Sequence, residues 1–132
     1  MVMARVLIVE DSPAQAAIIA EIVKEAGHDA LVCREFTKGA GAMLQPMTPD
    51  LVLLDLTLLD PDGKPVGDGF HICREIKRLT RNSVAVVVVS AKEDDTSSEW
   101  ALMQGADAYL QKPFAVEDLV SVMREALAVM GK

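Results

Sequence analysis

The chain has 132 residues, 51% hydrophobic and 25% charged, with a formal net charge of −7, a mean hydropathy of +0.25 and a pI near 4.7. That length suits one domain able to bury a core without metal or disulfide staples, and the acidic balance argues against a nucleic-acid surface, which needs a basic patch to release counterions. Apolar runs stop after six or seven residues, far short of a membrane span, and residues 1–9 do not read as a secretory leader, so a cytoplasmic protein without membrane attachment is expected.

Residues 5–10, RVLIVE, are short, apolar and β-branched without alternation, the pattern of a strand covered on both faces. A helix is predicted over 12–26, with Ser12 as N-cap, Pro13 at N1, Gly27 as the stop, and Ile18, Ile19, Ile22 and Val23 on one side. A weaker strand, DALVC, follows at 29–33, then a short helix over 35–45 that has to accommodate Gly39 and Gly41. LVLLDL at 51–56 repeats the buried-strand pattern. A turn-rich stretch follows, and helical spacing resumes in GFHICREIKRLT through Phe70, Cys73, Ile76 and Lys77. VAVVVVS at 84–90 is the fourth strand and residues 95–106 a fourth helix. DAYLQ at 107–111 is the fifth strand, and the final helix places Leu119, Val122, Met123 and Ala126 at core spacing. Regular βα alternation implies a parallel sheet with helices on both faces, joined by right-handed crossovers.

Cys33 and Cys73 show no CxxC or zinc-type spacing and read as buried apolar residues. Arg74, Lys77, Arg78 and Arg81 cluster toward the end of a helix, where cations have an ordinary dipole explanation. His28 and His71 are isolated, which suits surface or packing roles. Trp100 either packs inward or anchors a partner.

The polar residues fall at strand ends. The first strand runs into Glu10 and Asp11, the third into Asp55, the fourth into Ser90, and the fifth is followed by Lys112. In open α/β sheets these carboxyl ends border the ligand crevice, so residues about 45, 80 and 100 positions apart are able to meet. A lone aspartate there is more often a turn former or helix cap. Three converging carboxylates, by contrast, repel one another unless a cation intervenes, and oxygen-loving Mg²⁺ suits them. A hydroxyl and an ammonium then supply what a phosphoryl group requires, and Asp55 is able to act as a nucleophile, since carboxylates form acyl phosphates.

The motifs VLIVEDS, DLVLLDLTL, VVVVSAK and GADAYLQKPF, in this order over essentially the whole chain, resemble the receiver domain of bacterial two-component response regulators. The resemblance implies a single doubly wound five-stranded parallel sheet in flavodoxin-like order 2-1-3-4-5. It makes Asp55 the phosphoacceptor and assigns Mg²⁺ to Asp11 directly, to Glu10 through water, to Asp55, and to the backbone carbonyl of Thr57. Lys112 would pair with the phosphoryl group, Ser90 would move its hydroxyl toward it, and Tyr109 would be the aromatic switch. A cis peptide is expected before Pro113. Thr57 and Lys92 occupy the family's positions that tune hydrolysis. Ala14, Gln15 and Ile18 would meet a kinase helix, with core packing the alternative for Ile18.

What this implies is a signalling module, not an enzyme on an external substrate, beyond self-phosphorylation and slow self-dephosphorylation. Its donor would be a sensor histidine kinase or phosphotransfer protein. Its output would be a shifted surface of the fourth helix, fifth strand and fifth helix, acting on a downstream protein. One receiver domain over 1–132 is expected, monomeric or weakly dimeric, with no output domain. Its DG pair, Asp68 and Gly69, arrives later than the family's, so an extended loop is expected over about 58–68, with Asp60 and Asp62 as turn formers and Asp68 at the start of the third helix.

Rival readings fit less well. A phosphohydrolase of the haloacid dehalogenase type needs a second aspartate two residues after the first, where this chain has Thr57. A calcium loop begun at Asp60 would put Lys64 at a ligand position and Pro65 where glycine is required. A binding module that is never phosphorylated would not need the complete set of acceptor, acids, hydroxyl and lysine.

Overall fold

The computed structural model describes residues 3–33, 39–44, 48–56, 69–91, 102 and 105–131, the side chains of residues 69 and 70 excepted. Five strands form one parallel sheet: β1 (Arg5–Val9), β2 (Asp29–Val32), β3 (Leu51–Asp55), β4 (Ala85–Ser90) and β5 (Ala108–Gln111), in spatial order β2-β1-β3-β4-β5. The parallel sheet is the one expected from the alternating pattern, and its doubly wound flavodoxin-like order is the one the resemblance implies. Strands β3 and β4 are buried at every residue, which is why they carry unbroken runs of leucine and valine instead of an alternating pattern.

Four helices are described: α1 (Pro13–Glu25), α2 (Ala40–Leu44), α3 (Gly69–Leu79) and α4 (Val116–Val129). Of the helix expected over 95–106, only 102 and 105–106 fall among the described residues. Trp100, Lys92, Thr57, Asp60, Asp62, Asp68 and the loop over 58–68 lie outside them. The 35–45 helix is described only as α2.

α1 begins as its sequence demands. Ser12 holds an extended backbone, its Oγ accepts the Gln15 N–H at 3.3 Å, and Pro13 follows at the first helical position, where a missing N–H costs nothing. The chain leaves at Gly27 with φ of 93°, a conformation glycine adopts without strain. The expected apolar face needs one correction. Ala16, Ile19, Ile22 and Val23 are buried, whereas Ile18 is 62% exposed. At 3.6 residues per turn the four buried positions span an arc of about 120°, and Ile18 falls outside it.

The sheet separates two cores. On one face α1 and α4 pack Ile19, Val23, Leu119 and Met123 against Val6, Ile8, Leu53 and Val87. On the other, α2 and α3 pack Met43, Cys73 and Ile76 against Leu7, Val9, Leu54 and Val88. Both cysteines are buried, as their apolar settings suggested, and burial raises the Cys73 thiol to about 11. His28 also has a structural role, its Nδ1 accepting the Ala4 N–H at 3.0 Å.

The cluster near the end of α3 departs from its sequence reading. Lys77 is only 8% exposed. Its ammonium donates to Asp107 Oδ2 at 2.7 Å and to the Val84 carbonyl at 2.8 Å, and the same Asp107 oxygen accepts the Val86 N–H at 2.8 Å. An ion pair this deep is tolerated because each charge gains further hydrogen bonds. It ties α3 to the start of β4 and of β5.

Candidate phosphoryl and metal site

Parallel register aligns the carboxyl ends of the central strands. Val9 of β1 lies opposite Leu54 of β3, and Asp55 opposite Val89 of β4. Glu10 and Asp55, one residue further along their strands, therefore emerge side by side. The Lys112 N–H donates to the Ser90 carbonyl at 2.8 Å, which holds the segment after β5 beside the end of β4. Side chains alternate across a strand, and that alternation divides the site. Asp55 continues the parity of Leu51 and Leu53, Glu10 that of Val6 and Ile8, and Lys112 that of Ala108 and Leu110, all on the α1–α4 face. Ser90 continues the parity of Val86 and Val88 on the opposite face, where Tyr109 packs, partly buried.

Carboxylate oxygens of Glu10, Asp11 and Asp55 lie within 4.8 Å of one another. Glu10 and Asp55 are each 5% exposed. The Lys112 Nζ donates to Glu10 Oε1 at 2.6 Å and stands 3.5 Å from Asp55 Oδ2. The second Glu10 oxygen accepts the Ser12 N–H at 3.3 Å, tying the acid to the entry of α1. Burial, reinforced by the Asp55 and Asp11 carboxyls and opposed by Lys112, raises the Glu10 carboxyl from 4.5 to about 7. Three carboxylates thus gather hard oxygen donors around one point beside a single ammonium. That donor chemistry fits a divalent cation such as Mg²⁺.

Glu10, Asp11, Asp55 and Lys112 are brought together. Ser90 is fully buried at the end of β4, and the Lys112–Pro113 peptide is cis, as expected. Sequence reasoning missed one neighbour: Gln15, read only as a docking residue, accepts a 2.6 Å hydrogen bond from the Lys112 Nζ through Oε1. Its place in the first turn after Glu10 and Asp11 was the available signal.

Two hollows adjoin the cluster. One of about 240 Å³ is lined by Glu10, Asp11, Pro13 and Cys33. The other, about 520 Å³ and mostly apolar, runs between α1 and the start of α4, past Gln15, Ile18, Ile22, Lys112, Phe114 and Val116. No helix among the described residues is long and apolar enough to cross a membrane.

A doubly wound sheet with an acidic cluster and an ammonium at its carboxyl ends defines a class of α/β protein built to handle a charged ligand at strand termini. The family model for the response regulator receiver domain matches residues 6–124, and the chain belongs to that family: it is a receiver domain of two-component, phosphorylation-based signalling. Protein PilH of Pseudomonas aeruginosa is 32% identical over 127 residues, 96% of this chain and 99% of PilH. The DNA-binding response regulator MtrA of Mycolicibacterium smegmatis is also 32% identical, over 93% of this chain but only 50% of MtrA. Among solved structures, a CheY-like receiver domain protein from Methanospirillum hungatei matches with a TM-score of 0.80 at 25% identity, covering 98% of each chain. NtrX from Brucella abortus matches with a TM-score of 0.82 at 26% identity, over 98% of this chain and 27% of NtrX. Receiver domains of this family are in general non-enzymatic signalling modules.

Proposed function

We propose that Asp55 is the phosphoacceptor and that a sensor histidine kinase or phosphotransfer protein is its donor. A carboxylate oxygen of Asp55 attacks phosphorus, the P–N bond of the donor phosphohistidine breaks, and the imidazole departs with the bonding pair, leaving an acyl phosphate. Lys112 and the Ser90 hydroxyl donate to the phosphoryl oxygens of the product. Asp11, Glu10, Asp55 and the Thr57 carbonyl would hold Mg²⁺, which when bound offsets the charge of cluster and phosphoryl group together.

The apolar groove beside Lys112 suits a helix of the donor protein, because it is continuous with the phosphorylation site and Ile18 stands exposed in it. After transfer, the Ser90 hydroxyl and the Tyr109 ring, both on the α2–α3 side of the sheet, shift the balance between two packings of the face to which β5 and α4 belong, and a downstream protein reads that face. Beyond self-phosphorylation and slow loss of the phosphoryl group, the domain performs no chemistry. A cytoplasmic setting suits a phosphohistidine donor and two free cysteines.

The observation that carries this reading is Lys112 beside both Glu10 and Asp55, at 2.6 and 3.5 Å. Incubation with acetyl phosphate and Mg²⁺, followed by intact-mass measurement, tests it. One phosphoryl group is expected on the wild type and none on Asp55→Asn.

A further inference from the structure

Lys112 is not poised symmetrically between its neighbours. Its ammonium has three donors and no acceptor. Two make bonds of 2.6 Å, to Glu10 Oε1 and Gln15 Oε1, while the nearest Asp55 oxygen lies at 3.5 Å. Charge-assisted N–H···O bonds ordinarily measure about 2.7–2.9 Å. The ammonium is therefore drawn toward the entry of α1 and away from Asp55. Glu10 belongs to the acidic cluster, and its bond to the lysine offsets buried charge. Gln15 is neutral and exposed, so charge compensation does not require its bond. Because the ammonium only donates, the Gln15 amide turns its oxygen inward and leaves its NH₂ to face away from the lysine.

We propose that Gln15 is a positioning residue that retains Lys112 on the α1 side and so restrains phosphoryl transfer to Asp55. The inference rests on the assignment of Asp55 and Lys112 made above. For the ammonium to follow charge onto the transferring phosphoryl oxygens, the Gln15 bond must lengthen or break. The energy of that bond is thus subtracted from what Lys112 contributes to transfer.

The test compares the initial rate of labelling by acetyl phosphate with Mg²⁺ in the full chain and in two variants at position 15. Gln15→Met keeps the length of the side chain and removes the acceptor, and its labelling rate is expected to rise roughly three- to tenfold, the scale of one modest hydrogen bond. Gln15→Glu keeps the oxygen and adds charge, which strengthens the hold. Its rate is expected to fall, and to stay low in molar salt, where diffuse repulsion of the anionic donor is screened. A purely structural role would not move the two variants in opposite directions. Independently, the Lys112 Cε resonance of ¹³C-lysine-labelled protein is expected to shift in Gln15→Met while the urea midpoint stays in place. A Gln15→Met rate equal to or below that of the wild type, or an unmoved Lys112 resonance, overturns the inference. If the wild type itself takes no phosphoryl group, the assignment of Asp55 fails instead, and the lysine resonance still reports on the Gln15 hold.

Discussion

Glu10 and Lys112, 102 residues apart, are joined by a hydrogen bond of 2.6 Å that closes the carboxyl edge of the sheet from β1 to the end of β5. The bond spans the site in which Asp55 lies, so the two residues set both its shape and its charge.

Glu10 gives the metal-free protein a defined pH dependence. Its folded-state value, about 7, lies above its ordinary 4.5, so the folded state binds this proton more tightly than the unfolded chain does. The resulting stability is fully present below about pH 4.5 and is lost as pH rises through about 7, a change on the order of 3 kcal/mol. Urea unfolding in EDTA, compared between wild type and Glu10→Gln, is expected to show the wild type losing stability relative to the variant across that window. Adding Mg²⁺ is expected to flatten the wild-type curve. Parallel pH curves for the two proteins would count against the buried cluster.

The Lys77–Asp107 pair makes a separate prediction about the scaffold. Asp107→Ala leaves the buried ammonium with only the Val84 carbonyl and strips the Val86 N–H of a side-chain acceptor. Breaking one side of such a pair costs about 3–5 kcal/mol, read as a lowered urea midpoint. Lys77→Met combined with Asp107→Asn removes both charges and is expected to recover much of the loss. Equal destabilisation by the single and double changes would refute the pairing as its cause.

Ile18 separates docking from chemistry. It is 62% exposed and lines the groove beside Lys112, so Ile18→Glu is expected to alter the urea midpoint little, within about 0.5 kcal/mol. Transfer from a phosphorylated donor protein is expected to slow at least about tenfold relative to labelling by acetyl phosphate, as an apolar anchor is lost. An unchanged ratio of the two rates would remove the groove from donor recognition.

What the sequence made legible was mostly local or periodic. Ser12, Pro13 and Gly27 announce the ends of α1 because capping is written within a few residues. The runs in β3 and β4 announce a parallel sheet because two-sided burial leaves no room for polar alternation. The strand-end acids and Lys112 were legible because register carries them to one edge. The helical spacing places Lys77 beside Cys73 and Ile76 on the buried face of α3, but its partner, Asp107, lies 30 residues away, so the ion pair that makes its burial tolerable has no local signature. Spacing alone leaves Ile18 between docking and core packing because its neighbours Ile19 and Ile22 are apolar too, and only the buried arc of α1, which stops short of it, separates the two. The role of Gln15 depends on where the Lys112 side chain ends, a tertiary fact whose one local sign is the place of Gln15 in the first turn after Glu10 and Asp11.

Peptide mapping after phosphoryl transfer tests the role of Asp55 most directly. Wild-type protein incubated with acetyl phosphate and Mg²⁺ is predicted to carry one phosphoryl group, on Asp55, absent when EDTA replaces Mg²⁺ and absent in Asp55→Asn. A wild type that takes no label from acetyl phosphate or from its cognate kinase, or an Asp55→Asn variant labelled as fully as the wild type, would contradict the account.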